Sequence, residues 1–188
     1  MTPARYLSLI GILPLALGIS LAPSPPVRVA VLTIALNNLA NQPPNPDLPN
    51  RLRVLGDALR QRLATDCGYQ VVPVDSAAEA AAELGAGYLY AHPDVAVHLV
   101  GPSEADWVII PRLNRASPWV TDLQAQVVRV RDTLVISNRI VELKGIELTP
   151  ELAAKLAERG GAWMADQVSQ AIEHAAGGRS SGARRCPA

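Results

Sequence analysis

The run Val27–Leu36, Val-Arg-Val-Ala-Val-Leu-Thr-Ile-Ala-Leu, constrains the fold more than any other segment. Nearly every position is apolar or β-branched, without alternation, so a strand built from it must be covered on both faces. Such a strand sits in the middle of a sheet with helices on either side. The chain has 188 residues, 49% of them apolar and 18% charged. That composition suits one compact domain and excludes a disordered chain.

The rest of the chain reads as elements able to supply that cover. Residues 37–50 hold four prolines and five asparagines, which break both helix and sheet and predict an exposed loop. Over 51–66, Leu52, Leu55, Leu59 and Leu63 recur at helical spacing opposite Arg53, Asp57, Arg60 and Gln61, an amphipathic helix laid on a sheet and stopped at Gly68. Tyr69–Val74 reads as a short strand. Ser76 with Glu79 reads as a capping box opening an alanine-rich helix that ends at Gly85. Pro93, Asp94, Val95, Val97 and Val100 allow a further short helix.

Residues 107–143 read as a three-strand meander. Trp107–Leu113 forms its first strand, with hydrogen bonding interrupted or peripheral at Pro111. In the second, 120–131, Leu123, Ala125 and Val127 alternate with Gln124 and Gln126. The apolar positions then pass to Val128 and Val130, and a β-bulge near Val127 would reconcile the two phases. The third strand is Leu134–Leu143, after a turn at Asp132-Thr133. Thr149, Pro150 and Glu151 open a last helical region, which Gly160-Gly161 is expected to break before a second helix, 162–175. The expected fold is α/β (α+β): one domain over 23–178, with a mixed sheet, a C-terminal antiparallel meander and helices covering it.

Both ends carry their own signals. Residues 1–22 read as a secretory signal peptide: Arg5 in the n-region, an uncharged apolar run from Tyr6 to Ala22, and small residues Ser20 and Ala22 at cleavage positions −3 and −1. Pro23 disfavours the cut, so the competing reading is an uncleaved inner-membrane anchor whose domain faces the periplasm. No Leu-x-x-Cys follows the run, which excludes an N-terminal lipid. Residues 179–188 read as a disordered basic tail holding Arg179, Arg184 and Arg185, while the body from Pro23 to Gly178, with 13 basic and 17 acidic residues, carries −4. Net charge is zero and the aromatics number seven, so nucleic acid is not an expected partner.

Taken together, Val-Arg-Val-Ala-Val-Leu, the Leu-rich helix, Gly-Tyr-Gln-Val-Val, Glu-Ala-Asp-Trp-Val-Ile, Arg-Ala-Ser and Arg-Ile-Val-Glu-Leu-Lys-Gly resemble an uncharacterised family of exported bacterial proteins, a domain of unknown function. The pattern is more distantly similar to the α/β domain of TolB, CsgG and LpoB. The resemblance spans residues 27–175. It implies the fold, an exported location and a role in envelope assembly or partner binding, and it supplies no catalytic residue. Two segments depart from the family's habit: Arg131-Asp132-Thr133 replaces a glycine-containing turn, and Gly145-Ile146-Glu147 replaces a polar run.

Few residues offer chemistry. His92, Asp94 and His98 are the clustered candidates for a metal, since Asp94 and His98 at i and i+4 share a helix face. Polar residues at a helix start account for the same letters. Asp75, Glu79 and Glu83 could share a helix face, and that spacing is expected of a solvated one. Gly-x-Ser-x-Gly is absent, and Gly85-Ala86-Gly87 lacks the Gly-Lys-Ser/Thr of a phosphate loop, so no cofactor is expected.

Cys67 and Cys186 form an even pair suited to a disulfide in an oxidising compartment. Cys67 closes the first long helix, and ten residues separate Cys186 from Ala176, enough to span about 33 Å. Two free thiols are the alternative, favoured if Cys67 is buried against the sheet. Of the tryptophans, Trp107 reads as core and Trp119, at a strand turn, as exposed and partner-facing. The preferred function is therefore an exported periplasmic binding or envelope-assembly module without enzymatic activity, its protein partner unnamed. One alternative is a periplasmic metal-binding protein or hydrolase-like enzyme using His92, Asp94 and His98. Another is a small-molecule binder with its pocket beside the 37–50 loop.

Overall fold

A computed structural model describes residues 25–40, 43–101, 104–117, 119–145, 149–177 and 186. The expected signal peptide or anchor, Pro118, Ile146-Glu147 and the tail arginines lie outside these residues. The described residues form an α/β domain. Its strands are β1 (Arg28–Val31), β2 (Ala35–Asn38), β3 (Gln70–Val72), β4 (Trp107–Arg115), β5 (Thr121–Arg129) and β6 (Leu134–Glu142). Its helices are α1 (Leu48–Thr65), α2 (Ser76–Ala82), α3 (Tyr88–Ala91), α4 (Pro93–Val100) and α5 (Pro150–Ala175).

The sheet is mixed, in the order β3-β1-β4-β5-β6, with β2 also paired to β4. β1 runs parallel to β3 and β4, while β4, β5 and β6 form the antiparallel meander. Alternation along β1 sends Val29 and Val31 into one core with α1 and α5, and Ala30 and Leu32 into a second core with α3 and α4. Both faces of this strand are thus buried, as its unbroken apolar run requires.

That run is nevertheless two strands rather than one, and Pro111 accounts for the division. Ile109 accepts the Leu32 N–H at 3.0 Å, so its backbone groups point toward β1. Two residues on, the Pro111 nitrogen points the same way and has no hydrogen to offer. β1 ends opposite it, and pairing resumes at Ala35 with Arg112. Side chains from both helical layers serve the gap. Arg60 of α1 donates to the carbonyls of Val31 and Leu32, each at 3.2 Å through Nη2. Glu79 of α2 accepts the Thr33 N–H at 2.6 Å and its hydroxyl at 3.1 Å.

Glu79 is therefore buried, not on a solvated face. The helix cap is also different from the one expected: Asp75, not Ser76, accepts from the N–H groups of Ala77 and Ala78. Glu83 in turn accepts the Tyr88 N–H at 2.6 Å.

Three further expectations are corrected. First, α5 runs unbroken through Gly160 and Gly161. Both glycines are buried where α5 meets α1, and a Cβ on Gly161 would lie 2.6 Å from the Leu55 carbonyl oxygen. These residues set a close approach between helices instead of ending one. Second, the irregularity expected near Val127 is found, a register shift between Val127 and Val128, but the change of phase is not: the alternation of β5 is continuous. Leu123, Ala125 and Val127 face α5, whereas Val128 and Val130 extend the opposite, Gln124-bearing face into the second core. What changes along β5 is the cover, not the phase. Third, the 37–50 loop is shorter, because Asn37 and Asn38 belong to β2 and Leu48–Asn50 to α1.

Candidate binding surface

Strand order reverses between β1 and β4, where connections leave toward opposite sides of the sheet. In open α/β sheets that crevice is the usual ligand position. On the α2/α3 side of the sheet, at the break between β1 and β2, a pocket beside Thr33, Glu79, Glu83, Tyr90 and Pro111 measures about 10 Å³, room for one water.

Farther along the same face lies a polar stretch of sheet that the helices of the described residues do not cover. α3 and α4 cover β4 as far as Ile110 and return to the sheet at Val128. Between these limits the face carries Arg112 and Asn114 of β4, Gln124 and Gln126 of β5, and Asn138 and Ile140 of β6. Asn138 stands opposite Gln126, and Ile140 opposite Gln124. Tyr90 reaches out from α3 beneath this row. Its hydroxyl donates to Asn138 Oδ1 at 2.8 Å, and the Arg112 guanidinium lies 3.7 Å above its ring. Arg112 Nε donates to Gln124 Oε1 at 3.0 Å, and Asn37 Nδ2 to Asn114 Oδ1 at 2.8 Å.

Arg112, Asn114, Gln124 and Asn138 are thereby held in place. Within the same row, Gln126 Oε1 is buried and has no hydrogen-bond partner, an acceptor whose desolvation is uncompensated. Ile140 beside it is 60% exposed.

One end of the sheet adds apolar surface. Ser117 Oγ accepts the N–H groups of Trp119 and Val120 at 3.2 and 3.0 Å, shaping the β4–β5 turn. This leaves Trp119 64% exposed. Leu39, also exposed, is fixed at the same end by its N–H to the Arg115 carbonyl, 2.9 Å. Trp107 is core and Trp163 is half exposed.

Sequence reasoning missed Arg115, the first residue of the Arg-Ala-Ser segment. It is fully buried and donates to Asn38 Oδ1 at 2.9 Å and to the Pro43 carbonyl at 3.4 Å, fastening the proline-rich loop to the sheet. Its place in an apolar strand, at an odd-numbered position in phase with Ile109 and Leu113, was the available signal.

His92, Asp94 and His98 are exposed. His92 stacks on the Tyr88 ring at 4.2 Å, and His98 Nδ1 lies 3.2 Å from the Asp94 backbone oxygen. The three do not converge as ligands. Among the described residues, the group whose ligand atoms do converge is Cys67, Asp166 and Cys186. Cys67 and Cys186 are joined by a disulfide, their Cα atoms 4.3 Å apart. Cys67 is buried, and Cys186 packs against the α1/α5 core from outside, so burial and bonding coexist at this position. Nearby, Arg62 pairs with Asp66 at 2.6 Å and Asp166 at 3.4 Å. The Arg62 bond holds the Asp66 carboxyl below its ordinary value, and burial raises the Tyr69 phenol above its own.

Fold and surface together define a single α/β domain with two helical layers and a polar stretch of sheet that no helix of the described residues covers. The sequence specifies the family: residues 27–149 match the model of DUF3280, described as "Protein of unknown function (DUF2380)", and the chain belongs to it. No curated protein shows significant sequence similarity. Solved structures with a similar course include TolB from Acinetobacter baumannii, at 12% identity and TM-score 0.44. That match covers 81% of this chain and 30% of TolB, so the chain spans less than a third of TolB's length. The LpoB C-terminal domain from Escherichia coli matches at 14% identity and TM-score 0.45, over 63% of this chain and 82% of that one. Lipoprotein GNA1162 from Neisseria meningitidis matches at 13% and 0.46, over 76% and 99%. The expected distant similarity to TolB- and LpoB-type domains is thus found.

Proposed function

We propose that this chain is an exported, non-enzymatic domain that binds a protein partner in the bacterial envelope through the uncovered stretch of its sheet. The observation that carries the reading is the braced set Arg112, Gln124 and Asn138, with an unpartnered buried acceptor at Gln126 beside it and an exposed Ile140 at its edge. Fixed amides beside exposed apolar side chains suit a partner that supplies backbone or side-chain N–H groups and one apolar anchor. Trp119 at the neighbouring sheet end extends that surface. An exported location accords with the apolar run of residues 6–22. Among the described residues no helix is long and apolar enough to cross a membrane.

A photocrosslinking amino acid placed at Gln124, and separately at Asp57 on the exposed side of α1, tests the proposal in the native cell. Position 124 should yield a discrete adduct with an envelope protein, identified by mass spectrometry, and position 57 should not. No adduct at 124, or the same adducts at both positions, refutes it.

A further inference from the structure

β6 is the last strand of the sheet, and among the described residues no strand pairs with its outer edge. The Leu143 N–H donates to the Thr121 carbonyl at 2.7 Å, so along 137–143 the odd-numbered residues turn their backbone groups toward β5, and Asn138, Ile140 and Glu142 turn theirs outward. Ile136, the extra residue at the register shift, ends this regular edge before Ser137. We propose that the edge accepts an extended segment of another protein as an added antiparallel strand, one that sets a carboxylate opposite Arg139 and an apolar side chain opposite Val141.

Arg139 stands opposite Ala125 and Val141 opposite Leu123, so both lie on the face that α5 covers. Arg139 Nε is buried and has no hydrogen-bond partner. A guanidinium partly withdrawn from water in this way calls for a carboxylate. On the outer side of β6, positions 139 and 141 fall in the non-hydrogen-bonded pairs, where facing side chains come closest. α5 supplies an apolar wall beside them. Gly160 meets Leu143 and Gly161 meets α1. With residues about 100° apart around a helix, Trp163 points about 60° from Gly160 on the side away from α1. α1 packs against β3, and α5 against β5 and β6, so that side overhangs the open edge, and Trp163 is half exposed there.

A second copy of this chain does not fit the same edge. Because the even-numbered residues turn outward, two β6 edges paired antiparallel set Arg139 against an odd-numbered residue, Ser137, Arg139, Val141 or Leu143, and none of these carries a carboxylate. Arg139 thus discourages self-pairing, as a charge on an edge strand does, and favours a foreign strand of opposite charge. The edge differs from the uncovered face, which looks to the other side of the sheet, and stands without it.

The test titrates the full chain, labelled for amide NMR, with the end-capped peptide Thr-Val-Val-Glu-Thr, whose second, third and fourth residues would face Val141, Ile140 and Arg139. In the free chain the amides of Asn138, Ile140 and Glu142 should exchange fast, and those of Arg139 and Val141 slowly. The peptide should shift the first three amides and the Trp163 indole saturably and slow that exchange. Exchanging its Glu for Lys turns an opposite-charge cross-strand contact into a like-charge one and should weaken binding about 10-fold. Arg139→Glu should invert the preference, and the peptide exchange on wild type carries the test alone if that variant does not fold. Equal affinity for the two peptides overturns the proposal, as does the absence of saturable shifts along β6. Slow exchange at the three amides in the free chain, whether from an edge already covered or from a concentration-dependent dimer, overturns it as well.

Discussion

Replacing Gly161 with Ala adds one methyl group where α1 and α5 are closest. The new Cβ would stand 2.6 Å from the Leu55 carbonyl oxygen, 2.8 Å from Ala58 Cβ and 2.8 Å from the Leu59 nitrogen. Two of these neighbours are backbone, so rotamer changes cannot relieve the clash and the helices must part by about 1 Å. A gap of that size forfeits roughly a quarter to a half of the well depth of the facing contacts. Overpacking of this kind costs about 1–3 kcal/mol, at the upper end where backbone has to move. Against it stands the helix-propensity gain of about 1 kcal/mol for Gly→Ala. The net expectation is a loss of about 1–2 kcal/mol, or roughly 2–8 °C in melting temperature for a chain of this size. Gly160→Ala should lose less, because its 2.6 Å neighbour is the movable Leu143 Cδ2. Gly85→Ala, with nothing within 4 Å, should be neutral or gain up to about 1 kcal/mol. Urea melts of the three variants decide the order. A Gly161→Ala protein as stable as wild type would refute the close-approach reading of α5.

Three other outcomes are expected. Glu79→Ala strips the Thr33 N–H of its acceptor beside Pro111 and should cost about 1–3 kcal/mol in denaturant melts, with Glu79→Gln in between; a neutral Glu79→Ala would show that the strand break is held by other groups. Arg62 and Arg129 hold the carboxyls of Asp66 and Asp132 below their ordinary 3.8. A depressed folded pKa gives stability that is present above about pH 4 and lost as pH falls through the folded value, so the Asp66→Asn/Asp132→Asn protein should show a shallower acid limb of melting temperature against pH. An alkaline-phosphatase-type reporter fused after Gly178 should be active in cells, since it folds only outside the reducing cytoplasm; a stable but inactive fusion counts against export.

Much of the fold was legible because its periodicities are local. The Leu52-Leu55-Leu59-Leu63 stripe, the unbroken apolar run after Val27, the alternation about Gln124 and the Thr149-Pro150 start each name an element without reference to anything distant. What escaped was set by contacts across the chain. Gly160-Gly161 looks like a helix stop until α1 is placed against it. Glu79 looks solvated until Thr33 is found beneath it, 46 positions away in sequence. Pro111 announced an interruption correctly, but the strand that would be interrupted, and the Arg60 that serves its carbonyls, are visible only in three dimensions.

The proposed binding surface was half legible for the same reason. Along β5 one face carries Leu123, Ala125 and Val127, whereas the other runs Asp122, Gln124 and Gln126 and continues as Val128 and, just past the strand, Val130. Read as a change of phase, that pattern asks for a bulge. Read as a change of cover, it marks where the α3/α4 layer stops, so the two glutamines mark a stretch of sheet that no helix of the described residues covers. Here Arg112 braces Gln124, Tyr90 braces Asn138, and the Gln126 acceptor is left unpaired, which is what supports the proposed binding role. Solvation by itself would be met by flexible, independently hydrated side chains. Bracing lowers the entropy lost when a partner docks, and that is the physical reason to look for the partner here before the exposed histidines of α4.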